Sequence, residues 1–414
     1  MLKSYKYRLY PTIEQEILLS KHFGCARFIY NYGLGRKIEE YTKEKKNLSR
    51  FDLQKEIPIL KSDENMSWLK EVNSQSLQAS LLHLDEAFTK FFREKKGFPK
   101  FKSKKSNKFS FSIPQNIIID YKKNKVSIPK FKDGINLVID RKLNGEIRQA
   151  TISQTPSGKY FISILVNTTQ IIGEAQKPNI GDAIGIDVGI KDFIVMSNGE
   201  KVVNPKFFKK SLKKLKKEQR RLSRKKVGSN NRNKQRVIVA RCHERVSNQR
   251  IDFLHKLSTK LVRDNQTNTF CMENLSVKNM MKNKRLSQSI GDVSWSKFVE
   301  LMKHKCEWNG KNLLFIGRFD ASSKTCSCCG KINRELKLKD RVWACIGCGV
   351  EHDRDVNAAI NIREFAFHEK NFINIGQELS EYKPVESEES LVKKPKRSVK
   401  QESNGLGILP KPRS

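Results

Sequence analysis

The sequence has no run of about 18 apolar residues, which excludes a transmembrane helix. Its opening stretch, Met1 to Pro11, lacks the apolar segment of a secretory signal, so the chain is expected in the cytosol. Cysteine is sparse, nine in 414 residues, and in that compartment the thiols are expected to be reduced or metal-bound. Acid is scarce beside base: 44 Asp plus Glu stand against 82 Lys plus Arg, a net charge of +38. A compact protein repels itself at that charge and is retained where a polyanion, most simply nucleic acid, neutralises it. The apolar share, 37%, is large enough for real cores and excludes wholesale disorder. The length asks for roughly two to four domains.

The bases are not spread evenly. After Pro205 come Lys206, Lys209, Lys210, Lys213, Lys214, Lys216, Lys217, Arg220, Arg221, Arg224, Lys225 and Lys226, opposed by Glu218 alone. A solvated helix face explains a run of four or five bases, but not one this one-sided. A membrane-surface helix would need Trp or Phe anchors on its apolar face. This face carries Leu212, Leu215 and Leu222, a spacing that suits packing against a second helix. Nucleic-acid contact is therefore expected, without a membrane partner.

Along the chain, Tyr5, Tyr7 and Leu9 alternate in a strand over Lys3–Tyr10 that Pro11 ends. Thr12 and Gln15 form a capping box that opens a helix. Helical segments follow to about residue 95; Leu77, Leu81, Leu84, Phe88 and Phe91 repeat at helical spacing and read as core. From Phe109 the period becomes two, with a hairpin around Thr155-Pro156-Ser157-Gly158. The first strand and this group should form one small barrel with the helices inserted. A linker is expected over 170–182. A second β unit begins at Ala183, turns at Asn198-Gly199, and leads into two long basic helices, 206–226 and 231–263. The tail from about residue 376 reads as disordered, and Lys393–Arg397 as its solvated basic part.

Two constellations carry chemistry. Cys326-x2-Cys329 and Cys345-x2-Cys348 are separated by fifteen residues, and Gly330 and Gly349 follow each pair. Each pair places two thiolates on one tight turn, so the four suit a structural tetrahedral Zn²⁺, a zinc ribbon with no open catalytic position. Cys328 is a spare thiol; Cys25, Cys242, Cys271 and Cys306 read as small buried hydrophobes. The second constellation is acidic. Asp187 lies within the apolar Ile184-Gly185-Ile186-Asp187-Val188-Gly189, and Glu273 ends the apolar strand Thr269–Met272. A charge there is costly unless it meets a cation. Asp355, at the start of a helix, is on its own as consistent with an N-cap as with a ligand. Adjacent strands lie about 4.8 Å apart, so paired strands would bring Asp187 and Glu273 together and a helix across their ends would add Asp355. Three carboxylates around hard cations make a two-metal site for phosphodiester hydrolysis. The order Asp, hairpin, Glu on a later strand, Asp on a terminal helix is the ribonuclease-H arrangement.

The sequence resembles the TnpB family of transposon-encoded RNA-guided DNA endonucleases, relatives of compact type V CRISPR effectors. The matching stretches are Tyr7–Pro11, Ala26–Asn31, Gly97–Lys102, Gly185–Lys191, Glu273–Leu275, the four-Cys module and Asp353–Ile362. The resemblance implies a multidomain α+β fold: a wedge-type β-barrel (1–15 and 106–175), a helical recognition lobe (16–105), a RuvC-like nuclease (180–321 and 352–375) and a zinc ribbon (322–351). It assigns Mg²⁺ to Asp187, Glu273 and Asp355, with Asp353 the alternative in another register. It implies a guide RNA from the transposon end, a duplex DNA target beside a short motif, and one protein copy per guide. Base pairing would read the target while the protein reads backbone shape and that motif. Phosphate contacts would fall on Lys209, Lys210, Lys213, Lys214, Lys217, Arg220, Arg221 and Arg224. Ser74 and Gln78, one turn apart near a helix start, are candidates for base-edge contact, against the blander reading of a solvated face. Two other functions compete: a guided repressor that does not cut, and a transposase that joins strands itself.

Overall fold

Alternate burial of Tyr5, Tyr7 and Leu9 makes the first strand, β1 (Leu2–Tyr10), the centre of a seven-stranded antiparallel sheet. The computed structural model describes residues 1–106, 109–168, 175–264, 266–317, 320–337 and 339–368. The tail expected from residue 376 and the start of the 170–182 linker lie outside these residues. Thr12 caps α1 (Ile13–Glu44) through the predicted box: Gln15 N donates to Thr12 Oγ1 at 3.4 Å and Thr12 N to Gln15 Oε1 at 3.1 Å. Helices α2 (Arg50–Ser62) and α3 (Ser74–Arg93) complete the insertion, with Ile29, Leu34, Leu53, Leu77, Leu81 and Leu84 in its core. Burial along α3 stops at Leu84. Phe88 and Phe91, expected as core, are half-buried: Phe88 packs against the edge of that core, and Phe91 is not part of it. Helical spacing puts them on the right face, but nothing in the period says where the cover ends.

The chain then adds β2 (Phe109–Ile113), β3 (Ile118–Asp120), β4 (Lys125–Ile128), β5 (Phe131–Val138), β6 (Glu146–Gln154) and β7 (Tyr160–Asn167). The strand order is β2-β6-β7-β1-β5-β4-β3, so the N-terminal strand is held between β7 and β5. Phe111 from one edge, Val126 and Ile135 from the other, and Phe23 from α1 share one apolar cluster.

The second sheet carries the chemistry. It begins with β8 (Ala183–Val188), β9 (Asp192–Met196) and β10 (Lys201–Val203). The Asn198-Gly199 turn works because Gly199 takes φ 88°. The basic hairpin follows as α4 (Phe207–Ser223) and α5 (Asn230–Asp264), then β11 (Thr269–Glu273), α6 (Val277–Met280), α7 (Ser287–Val293), α8 (Trp295–Trp308) and β12 (Asn312–Ile316). Two short strands, β13 (Val342–Ala344) and β14 (Glu351–Asp353), pair antiparallel and lead straight into α9 (Arg354–Ala366). The sheet order is β10-β9-β8-β11-β12, with β8, β11 and β12 parallel and the hairpin antiparallel. Phe193, Phe270, Phe298 and Met302 fill one face beneath α5 and α8. Lys206 gives α4 no side-chain cap; Asp292 supplies it from α7, accepting from Phe208 N at 3.1 Å while Arg250 Nη2 donates to it at 2.9 Å. Among the described residues no helix is long and apolar enough to cross a membrane.

Helix α9 covers the other face, and Gly185 sets how closely. A Cβ built on Gly185 would stand 1.9 Å from Ala359 O and 2.9 Å from Arg363 N, both backbone atoms that cannot turn aside. Gly185→Ala should therefore lift α9 off β8. We expect a loss of about 3 kcal/mol or more, read as a lower urea midpoint, since overpacking against backbone has no cheap relaxation.

Candidate active site

Parallel pairing of β8 with β11 puts Ile186 opposite Met272, so the next residues, Asp187 and Glu273, emerge side by side at the C-terminal ends of the two strands. The contact of α9 with β8 over Gly185 brings the helix's first turn to the same place. Asp187, Glu273 and Asp355 line one cavity of about 440 Å³, rimmed by Lys191, Lys324, Lys337, Arg341 and Arg354. The convergence expected from strand pairing is present.

The Asp-Arg-Asp run divides its labour. Asp353 is the N-cap of α9: its Oδ1 accepts from Asp355 N at 3.0 Å and Val356 N at 3.1 Å, and Lys201 Nζ donates to its Oδ2 at 2.6 Å. Burial works against its charge, but Lys201 and those N–H groups outweigh it and hold its pKa below the ordinary range. Asp355 is thus spared the capping role and faces the cavity. Arg341 Nη1 and Arg354 Nη2 each donate to it at 2.8 Å.

Asp187 is less well compensated: the Arg354 charge and a Val188 N–H favour its ionised form, but other effects outweigh them. Burial, then the charges of Glu273 and Asp355, push its pKa from 3.8 up to about 8. Burial also raises the pKa of Glu273, against a hydrogen bond from Ser322 Oγ at 2.7 Å. Two carboxyls that resist ionisation beside a third, at strand ends open to a cavity, are short of positive charge. The donor set, all carboxylate oxygen, fits hard divalent cations.

The Cys module is better formed. The sulfurs of Cys326, Cys329, Cys345 and Cys348 all lie within 4.8 Å of one another, a group that could hold a metal ion. The pairs Cys326–Cys348 and Cys329–Cys345 are 3.7 and 3.5 Å apart, close to the ~3.8 Å edge of a tetrahedron with ~2.3 Å metal–sulfur bonds. Both turns use a left-handed glycine, Gly330 at φ 74° and Gly349 at φ 72°. N–H groups of Cys348 and Gly347 lower the pKa of the Cys345 thiol, while the neighbouring sulfurs raise those of Cys329 and Cys348, as expected of thiols crowded together. Cys328 stands apart from the group and exposed; Cys25, Cys271 and Cys306 are buried and Cys242 half-buried.

The composition gave no sign of what joins this module to the acids. Asn357 and Asn361 are buried on α9, and their amides donate to Thr325 O at 2.7 and 2.6 Å; Asn361 also reaches Ser322 O at 2.7 Å. Ser327 N returns a bond to Asn357 Oδ1 at 2.9 Å. The signal was legible as two amides four residues apart on an otherwise apolar helix face.

The nucleic-acid candidates lie elsewhere. Lys209, Lys210, Lys213, Lys214, Lys217, Arg220, Arg221 and Arg224 are exposed along α4, while Glu218 is buried and bonded to Gln235 Nε2 at 2.8 Å. Lys210 and Lys214 face Arg241 and Arg245 across a groove of about 560 Å³ between α4 and α5. Ser74 and Gln78 are exposed on the first turns of α3, and Lys61 Nζ donates to Ser74 Oγ at 2.5 Å.

Residues 162–284 match a family model described as "Probable transposase", the OrfB protein of IS605, and residues 295–362 a "Cas12f1-like, TNB domain". A "Putative RNA-guided DNA endonuclease" of Streptomyces pristinaespiralis is 38% identical over 87% of this chain and 88% of its own length. The chain belongs to the TnpB family. Another member, "Putative RNA-guided DNA endonuclease InsQ" of Escherichia coli K12, is 30% identical over 87% of this chain and 91% of its own. A cryo-EM structure of a Cas12f1–sgRNA–target DNA complex has the same fold, with TM-score 0.53 at 15% identity over 88% of this chain and 98% of that one. A further TnpB-family model, "Helix-turn-helix domain", matches residues 1–46, where this chain forms one strand and the single long helix α1.

The acid cluster has a measurable signature without metal. A carboxyl raised in the fold is protonated more readily folded than unfolded, so stability falls as pH rises from 3.8 toward about 8. In chelator, wild type and Asp187→Asn should melt alike near about pH 4, and the variant should gain progressively up to about pH 8. Equal melting temperatures across that range would mean the carboxylate carries no penalty.

Proposed function

We propose that this chain is an RNA-guided DNA endonuclease whose catalytic acids are Asp187, Glu273 and Asp355. The observation that carries the reading is their meeting in one cavity from β8, β11 and α9, with two of the three held against ionisation. The sheet order and strand directions support a ribonuclease-H-type, RuvC-like domain over 180–321 and 352–375. The seven-stranded sheet is read as the wedge-type barrel, residues 16–105 as the recognition lobe and 322–351 as the zinc ribbon. The named relatives support a guide RNA and a duplex DNA target.

Mg²⁺ would be held by the three carboxylates and Zn²⁺ by Cys326, Cys329, Cys345 and Cys348. Bound there, Mg²⁺ supplies water activation and charge neutralisation for phosphodiester hydrolysis, and Zn²⁺ supplies rigidity. The chain's own residues do the positioning. Ser322 orients Glu273, Arg341 and Arg354 fix the Asp355 carboxylate, and Lys191, Lys324 and Lys337 give the cavity rim the charge that draws in a phosphate backbone. The exposed bases of α4 suit guide or heteroduplex phosphates.

Asp187→Ala, Glu273→Ala and Asp355→Ala should each lower Mg²⁺-dependent cleavage of a guided plasmid by roughly a thousandfold or more, with guided DNA binding retained. If wild type and variants leave the target equally intact, the chain is a guided repressor; a strand-transfer product made without RNA would make it a transposase. Cys329→Ser should reduce the zinc content of purified protein from about one per chain, measured by elemental analysis, while Cys328→Ser leaves it unchanged.

A further inference from the structure

The far end of α3 breaks the rule that large aromatics are covered. Phe92 is 71% exposed, Phe98 46% and Phe101 59%. They are not loose. Phe91 meets Phe92 and Phe98 edge to face, with centroids 5.0 and 5.4 Å apart, and Phe88 meets Phe98 at 5.5 Å. The segment after α3 is stapled back to α1: Lys102 N donates to Asn31 Oδ1 at 2.7 Å, Asn31 Nδ2 donates to Lys102 O at 2.9 Å, and Lys102 Nζ sits 3.8 Å over the Tyr30 ring. Along residues 90–104 these rings are interleaved with Lys90, Arg93, Lys95, Lys96, Lys100 and Lys104, and Glu94, paired to Lys96, is the one acid in that stretch.

Rigid exposed rings set in positive charge match one chemistry: a polyanion that offers flat π faces. Bases in a duplex keep theirs stacked inside, so the match is to an unpaired strand. Duplex DNA arrives with its bases stacked; a guide RNA arrives with unpaired nucleotides. We propose that Phe92, Phe98 and Phe101 form a stacking platform for unpaired nucleotides of the guide RNA, with Lys95, Lys96 and Lys100 as its phosphate contacts. The identity of the partner rests on the guided-nuclease reading. Phe92, Phe98 and Phe101 line neither the acid cavity nor the grooves beside α4.

The test uses the full chain and an unstructured RNA oligonucleotide, by fluorescence anisotropy. Phe92→Ala combined with Phe101→Ala should weaken RNA binding by about tenfold or more. It should leave the slope of log affinity against log salt unchanged, because no phosphate contact is lost. Lys95→Gln, Lys96→Gln and Lys100→Gln together should flatten that slope. Phe92→Leu with Phe101→Leu keeps apolar volume but removes the π faces, so it should weaken binding with an unchanged melting temperature. In the complex carrying its co-purified RNA and target DNA, photo-crosslinking should place RNA nucleotides on the 92–101 segment. Unchanged RNA affinity in the Phe variants overturns the platform and leaves the nuclease reading standing. Crosslinks to DNA alone overturn the choice of RNA. A wild-type dimer that the Phe variants dissociate, with RNA affinity intact, would assign the surface to a second copy and overturn the proposal. Loss of cleavage in the acid variants bears on none of these outcomes.

Discussion

Closure of the acid cluster depends on a backbone-to-backbone contact. The β8–β11 pairing delivers two carboxylates with no help from anything else, because parallel register fixes which residues end together. The third acid arrives on a helix, and a helix packed on a sheet ordinarily stands off by the side chains between them. At Gly185 there are none, and the backbone carbonyl of Ala359, one turn after Asp355, sits directly against the strand. The acid is carried inward by the width of the missing side chain. Placing like charges this way opposes stability, since burial and mutual repulsion both disfavour ionisation of Asp187. The compensation comes from the apolar packing of α9 through Ile362 and Ala366 against Ala183, Cys271 and Leu314.

The Cys module takes part in that placement. Its first knuckle is tied to α9 by Asn357 and Asn361, its approach loop is tied to Glu273 by Ser322, and Arg341, just before β13, holds Asp355. The β13–β14 ladder ends at Asp353, which caps α9. Four routes of hydrogen bonding thus run from the module to the acids. A module that only decorated the surface would need none of them.

Much of this was legible in the sequence because it follows from local rules. Alternation gave β1 and the β6–β7 hairpin; the Thr12–Gln15 box gave the start of α1; the Asn-Gly turn gave the β9–β10 hairpin; Cys spacing gave the sulfur cluster. The choice between Asp353 and Asp355 was not local. Either could cap a helix, and only the start of α9 at Arg354 decides that Asp353 does so. The end of full burial on α3 was likewise invisible, because the pattern of apolar residues continues through Phe88 and Phe91, which are only partly covered. Arg341 and Ser322 were missed for the same reason: a partner far along the chain leaves no periodicity. Asn357 and Asn361 left a faint one.

The competing readings differ in what they require of the acids. A guided repressor needs grip and a guide, both of which the basic hairpin and the helical lobe can serve without the cavity. It has no use for a strand-end carboxyl raised to about 8 beside two other acids, a feature that costs stability at neutral pH. Such sites are relaxed readily when nothing depends on them, since an amide or an apolar residue would relieve the strain. A cation at the same place reverses the sign: each carboxylate that repelled its neighbours becomes a ligand, and the glycine that brought α9 too close becomes the reason the site can close around a charge. The geometry is unfavourable to a silent protein and favourable to one that loads metal, and this asymmetry is the physical ground for reading it as a nuclease.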